Sequence, residues 1–96
     1  MAPGKAQSGK RQEEVKREVV WTNSVLELFE ELPSQDREAI LDHLKYLPQF
    51  PHMYPLRFKG RRFRRHRWFH AGNWLVYYRV IGNTIYIRGL WPARIP

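Results

Sequence analysis

The sequence predicts an α+β domain with the order β-α-α-β-β-β, an antiparallel sheet covered on one face by a two-helix hairpin. Three observations predict it. A short β-branched stretch precedes two segments with helical periodicity. Those segments are separated by so little chain that they must form a tight αα-hairpin. Three further stretches, broken at Gly72-Asn73 and Gly82-Asn83, read as consecutive strands of a meander.

Residues 1–14, MAPGKAQSGKRQEE, are small, polar and charged, and read as a disordered tail. The folded domain is expected over 15–96. Glu18-Val19-Val20-Trp21-Thr22 reads as the first strand. Asn23-Ser24 offers an N-cap, with Glu27 completing a capping box on Ser24. Val25, Leu28, Phe29 and Leu32 then recur at spacings of three and four, and Pro33 stops the helix. Ser34 caps a second helix with Ile40, Leu41, Leu44 and Leu47 as its apolar stripe, and Pro48 ends it. PQFPHMYPL (48–56) is an extended loop, because its three prolines exclude regular structure. Arg61–Phe69 is strand-like in its aromatics but unusual in its charge, so regular pairing is expected to start near Arg65. Trp74–Val80 is the strongest strand signal, and Thr84–Leu90 returns beside it. The first strand must join the same sheet.

Charge is segregated along the chain. The formal net charge is +8, yet no acidic residue follows Asp42. Residues 43–96 carry eleven Lys and Arg, whereas residues 1–42 carry six against nine Asp and Glu. Such a basic half fits an anionic partner, whether polyanion or acidic protein segment. It also excludes a carboxylate general base or a carboxylate metal cage in that half. There are no cysteines, so disulfides and thiolate zinc sites are excluded. His66 and His70 are too far apart on a strand for easy chelation. No metal or other cofactor is expected. No Gly-rich phosphate loop, nucleophile elbow or Ser-His-Asp set is present. Neither a signal peptide nor a membrane span is evident, and a cytoplasmic protein is the expectation.

Arg61, Arg62, Arg64, Arg65 and Arg67 crowd one stretch with Phe58, Phe63, Trp68 and Phe69. A charged strand edge that only blocks aggregation commonly needs one or two Lys, and five Arg exceed that. Arg forks grip phosphate and aromatics stack on splayed bases, so a phosphate-binding surface is one reading. A dock for an acidic partner segment is another, and the two are compatible. Alternation puts Arg65 and Arg67 on one face. Arg61, Arg62 and Arg64 project from the edge.

Gly72–Arg94, GNWLVYYRVIGNTIYIRGLWPAR, resembles the C-terminal signature of RelE/ParE-type toxins of bacterial type II toxin–antitoxin pairs. The upstream element order fits the same superfamily, and the resemblance covers residues 16–96. It implies a toxin neutralised by a cognate acidic antitoxin. RelE-like members cleave mRNA on the ribosome without metal, using Lys and Arg around the scissile phosphate. ParE-like members inhibit DNA gyrase. Arg65 and Arg67 fall where RelE-like toxins place two strand lysines, and Arg94 matches the closing Arg. Trp74 replaces an Arg of RelE, and the C-terminal Tyr of RelE has no counterpart up to Pro96. GNWLVYYRV and the WPAR ending look closer to ParE-like members, whereas the arginine cluster looks closer to an RNase.

The expected function is therefore a toxin acting as a ribosome-dependent mRNA endoribonuclease. Arg65, Arg67 and Arg94 would hold the phosphate, and His70 would move the proton, because Arg stays protonated and cannot be the base. His66 is the other imidazole available for that step, and Lys59 a weaker candidate. Lys59, Arg61, Arg62, Arg64, Trp74 and Tyr78 are the expected RNA-binding set. The alternatives are a ParE-like gyrase inhibitor and a binding-only, inactive homologue.

Overall fold

A computed structural model describes residues 17–93. The predicted tail, residues 1–14, and Arg94 lie outside the described residues. The order is β1 (Glu18–Trp21), α1 (Asn23–Glu30), α2 (Ser34–Leu44), β2 (Arg67–Ala71), β3 (Trp74–Ile81) and β4 (Thr84–Pro92). The expected β-α-α-β-β-β architecture is present. The sheet order is β1-β4-β3-β2. Strands β2, β3 and β4 form the predicted antiparallel meander, and β1 lies parallel to β4, with Glu18 opposite Thr84 and Trp21 opposite Ile87. The sheet is therefore mixed. A strand that reaches the sheet through two helices has no hairpin to impose an antiparallel course.

The helices begin differently from the capping-box expectation. Helix α1 starts at Asn23 behind Thr22, and no side chain caps it. The Leu26 amide donates to the Thr22 carbonyl at 2.9 Å, while the Thr22 hydroxyl donates to Ile87 O at 3.4 Å and joins the end of β1 to β4. At the hairpin, Arg37 of α2 donates to Leu32 O at 2.6 Å and so satisfies a carbonyl of the turn between the helices.

One face of the sheet packs on the helices. Val25, Phe29, Leu32, Ile40, Leu44 and Leu47 bury against Phe69, Ala71, Val76, Tyr78, Ile85, Ile87 and Leu90. Leu28 and Leu41, expected in the apolar stripes, are 37% and 47% exposed. The core face follows alternation until a register shift between Tyr77 and Tyr78, where Tyr77 pairs with Gly89 and Tyr78 with Ile87. Arg88 is the extra residue of this β-bulge. Below it Ile85 and Ile87 face the helices; above it Leu90 does. Both Arg88 and Gly89 are thereby turned to the opposite, open face.

Candidate functional site

The basic segment is a loop, and β2 starts only at Arg67. Three left-handed residues shape it: Gly60 (φ 76°), Phe63 (φ 59°) and Arg65 (φ 65°). For Phe and Arg this conformation costs roughly 1–3 kcal/mol each and persists only where the surroundings impose it. Here the surroundings are backbone bonds and one half-buried ring. Arg65 N–H donates to Arg57 O at 2.6 Å, Arg57 N–H to His66 O at 2.8 Å and Trp68 N–H to Pro55 O at 3.1 Å, so residues 55–57 run beside 65–68.

The ring is Phe63, which folds back over the open face. It stacks on Tyr77 with centroids 4.5 Å apart and planes 11° apart, directly above Gly89. A Cβ at position 89 would overlap three carbons of that ring. The loop is further held by Arg57, 5.6 Å from the centre of the Tyr77 ring, and Arg62, 5.0 Å from that of Trp91. Lys59, Arg61 and Arg64 remain exposed. Isolated glycine within an apolar strand signals close approach of another group, so Gly89 carried the sequence signal for this latch.

The structure redistributes the expected site. Arg67 pairs with Tyr78 and shares its face, the helix-covered one, so Arg65 and Arg67 do not share the open face as predicted. The Arg67 guanidinium donates through Nη1 to Tyr54 O at 2.7 Å and His52 O at 3.4 Å. Beside it the fully buried Tyr78 hydroxyl donates to Pro51 O at 2.9 Å. Together they grip the proline-rich loop. Burial raises the Tyr78 phenol to about 12, so it stays protonated and a donor. Tyr78 therefore presents no surface to RNA, contrary to the expectation. Trp74 is also on the helix side, half-buried, with Nε1–H donating to Asp36 Oδ2 at 3.1 Å. His70 is exposed on the open face opposite Leu75.

His66 lies under the latch, 8% exposed, with Phe63 edge-on at 5.5 Å. Its Nδ1 meets Arg64 O at 3.2 Å, and its buried Nε2 has no partner. Burial pushes its pKa below the ordinary imidazole value, with Arg88 and Arg79 adding repulsion; the Arg64 carbonyl opposes them.

Arg65 and Arg67 do meet, with a third cation that sequence reasoning did not assign to the site. They line a cavity of about 140 Å³ with His52, Leu56, Arg79 and Val80. Among the described residues, no three His, Cys, Asp or Glu side chains are placed to hold a metal, and no helix is long and apolar enough to cross a membrane.

A family model described as the ParE toxin of the type II toxin–antitoxin system, parDE, matches residues 19–95. No curated protein and no solved structure matches the chain. The match runs from β1 through β4 and thus takes in the hairpin, the latched basic loop and the whole sheet. The chain belongs to the ParE toxin family of type II toxin–antitoxin systems.

Proposed function

We propose that this toxin acts by binding DNA gyrase in the cytoplasm rather than by cutting message on the ribosome, and that an acidic cognate antitoxin neutralises it. The observation that carries this reading is the position of Arg67, whose guanidinium is engaged by two carbonyls of its own chain. Nη1 of that fork is spent on the fold, which leaves Arg67 fewer donors for a phosphoryl transition state than a free guanidinium would offer. The proton-transfer groups are no better placed. His66 is covered by Phe63. His70 is on the open face of β2, whereas Arg67 is on the helix-covered one. Membership of the ParE family adds weight in the same direction.

The ribosome-dependent endoribonuclease reading retains one observation in its favour, the convergence of Arg65, Arg67 and Arg79 on one cavity. One pair of assays separates the two readings. Purified gyrase should lose supercoiling activity with excess toxin, and primer extension on ribosome-bound message should show no new ends. Intact supercoiling together with new mRNA ends would overturn the gyrase assignment. Co-expression of the neighbouring antitoxin should abolish the effect.

A further inference from the structure

Strand β3 is longer than the strand beside it. The β2–β3 register ends at Arg67 opposite Tyr78, so Arg79, Val80 and Ile81 have no paired neighbour on that side. The loop closes only part of the resulting notch. What remains is the 140 Å³ cavity, with Arg65 on one wall, Arg67 and Arg79 on the others, and Leu56 and Val80 as apolar surface between them. We infer that this notch is a binding site for a terminal phosphate group, a phosphomonoester, gripped by Arg65, Arg67 and Arg79.

Three arginines line one small space, and among the described residues no acidic side chain pairs with them. The one ion pair among the described residues, Lys45 with Asp42, involves none of them, and no acidic residue follows Asp42. Among the described residues the side chains of Arg65 and Arg79 donate to no protein atom. Arg67 is pinned through Nη1, which fixes the direction of the rest of its fork. Arg65 is set by its left-handed backbone and by its amide bond to Arg57 O. Arg67 is thus held in place before any ligand arrives, which lowers the ordering entropy lost at that fork.

The number of forks selects the ligand. A carboxylate offers two coplanar oxygens and one charge, which a single guanidinium saturates. An internal phosphodiester offers two free oxygens and one charge. A phosphomonoester offers three oxygens in a tetrahedral array and a charge near −2 at neutral pH, which matches three forks approaching from different directions. A cavity of this size takes the head group and leaves the remainder of the ligand outside. The ligand is either a phosphorylated nucleic-acid end or a free mononucleotide. The site does not depend on the gyrase assignment, and a different measurement tests it.

That measurement is calorimetric titration of the full chain with one short oligonucleotide in 5′-phosphorylated and 5′-hydroxyl forms, followed by competition with AMP. The phosphorylated form should bind about tenfold tighter, the scale of one added set of charge-assisted hydrogen bonds. Arg79→Gln and Arg65→Gln, both exposed positions, should each erase the difference between the two forms. Lys45→Gln removes the same charge away from the notch and should preserve it. Displacement by AMP assigns free nucleotides as ligands too, and no displacement assigns strand ends alone. Equal affinity for the two oligonucleotide forms would overturn the site, as would a preference that survives Arg79→Gln in folded protein. An acidic peptide that displaces the strand better than inorganic phosphate does would assign the notch to a carboxylate and overturn it equally.

Discussion

Arg67 illustrates how a residue chosen for chemistry can turn out to hold the fold. Its two carbonyl partners, His52 O and Tyr54 O, belong to a loop with three prolines and few amides to contribute of its own. Arg67→Ala should destabilise the protein by about 1–3 kcal/mol, the scale for leaving such acceptors without their charged donor, and a lowered melting temperature is the measurement. Loss of toxicity in that variant would therefore report on folding. His66 carries a second prediction. Its folded pKa is depressed, so the unfolded chain binds the proton more readily, and stability rises with pH across the window between the two values. Stability should be complete above about 6.5, the ordinary imidazole value, and fall as pH drops below it. Arg79 on β3, Arg88 on β4 and the Arg64 carbonyl are the charged and polar groups facing the ring, and Phe63 covers it. His66→Phe should flatten the difference in melting temperature between pH 7.5 and 5.5; an unchanged slope would place the titration elsewhere.

The basic loop and the bulge of β4 make one device. The bulge turns Gly89 to the open face, and Phe63 occupies the space that a side chain there would need. Gly89→Ala should cost about 1–3 kcal/mol through overpacking and speed amide exchange at residues 62–66. Adding Phe63→Ala should recover part of that loss, giving a non-additive double-mutant cycle; simple additivity would deny the contact. Much of the rest was legible in sequence. The helices showed through three- and four-residue spacing, and β3 and β4 through apolar runs punctuated by Gly72-Asn73 and Gly82-Asn83. The start of β2 was not, because Phe63 and Arg65 adopt positive φ without being glycine, and no composition marks that. The side of the sheet taken by Arg67 was legible from alternation, because Arg67 lies two residues from the core ring of Phe69 and so on its face. Arg79 was readable only as a strand residue, since the notch around it arises from unequal strand lengths.

Across the whole molecule the charge segregation of the sequence becomes a segregation in space. The acids of the described chain lie in β1, α1, α2 and the turn between them, from Glu18 to Asp42. Most cations of the described chain lie in the latched loop and around the notch, in the stretch after Asp42, which holds no acid. If the cognate antitoxin is acidic, as proposed above, and docks here, its association should slow as salt is raised, with dissociation much less affected, because exposed charges steer encounter more than they hold the complex. Stopped-flow association at two ionic strengths checks this. The parallel pairing of β1 with β4 has a consequence for when such a protein completes its fold. Glu18 waits for Thr84, 66 residues later. On a translating ribosome β1 has no partner strand until the chain as far as Thr84 has emerged. Folding of this toxin domain therefore cannot run ahead of its last strand, β4.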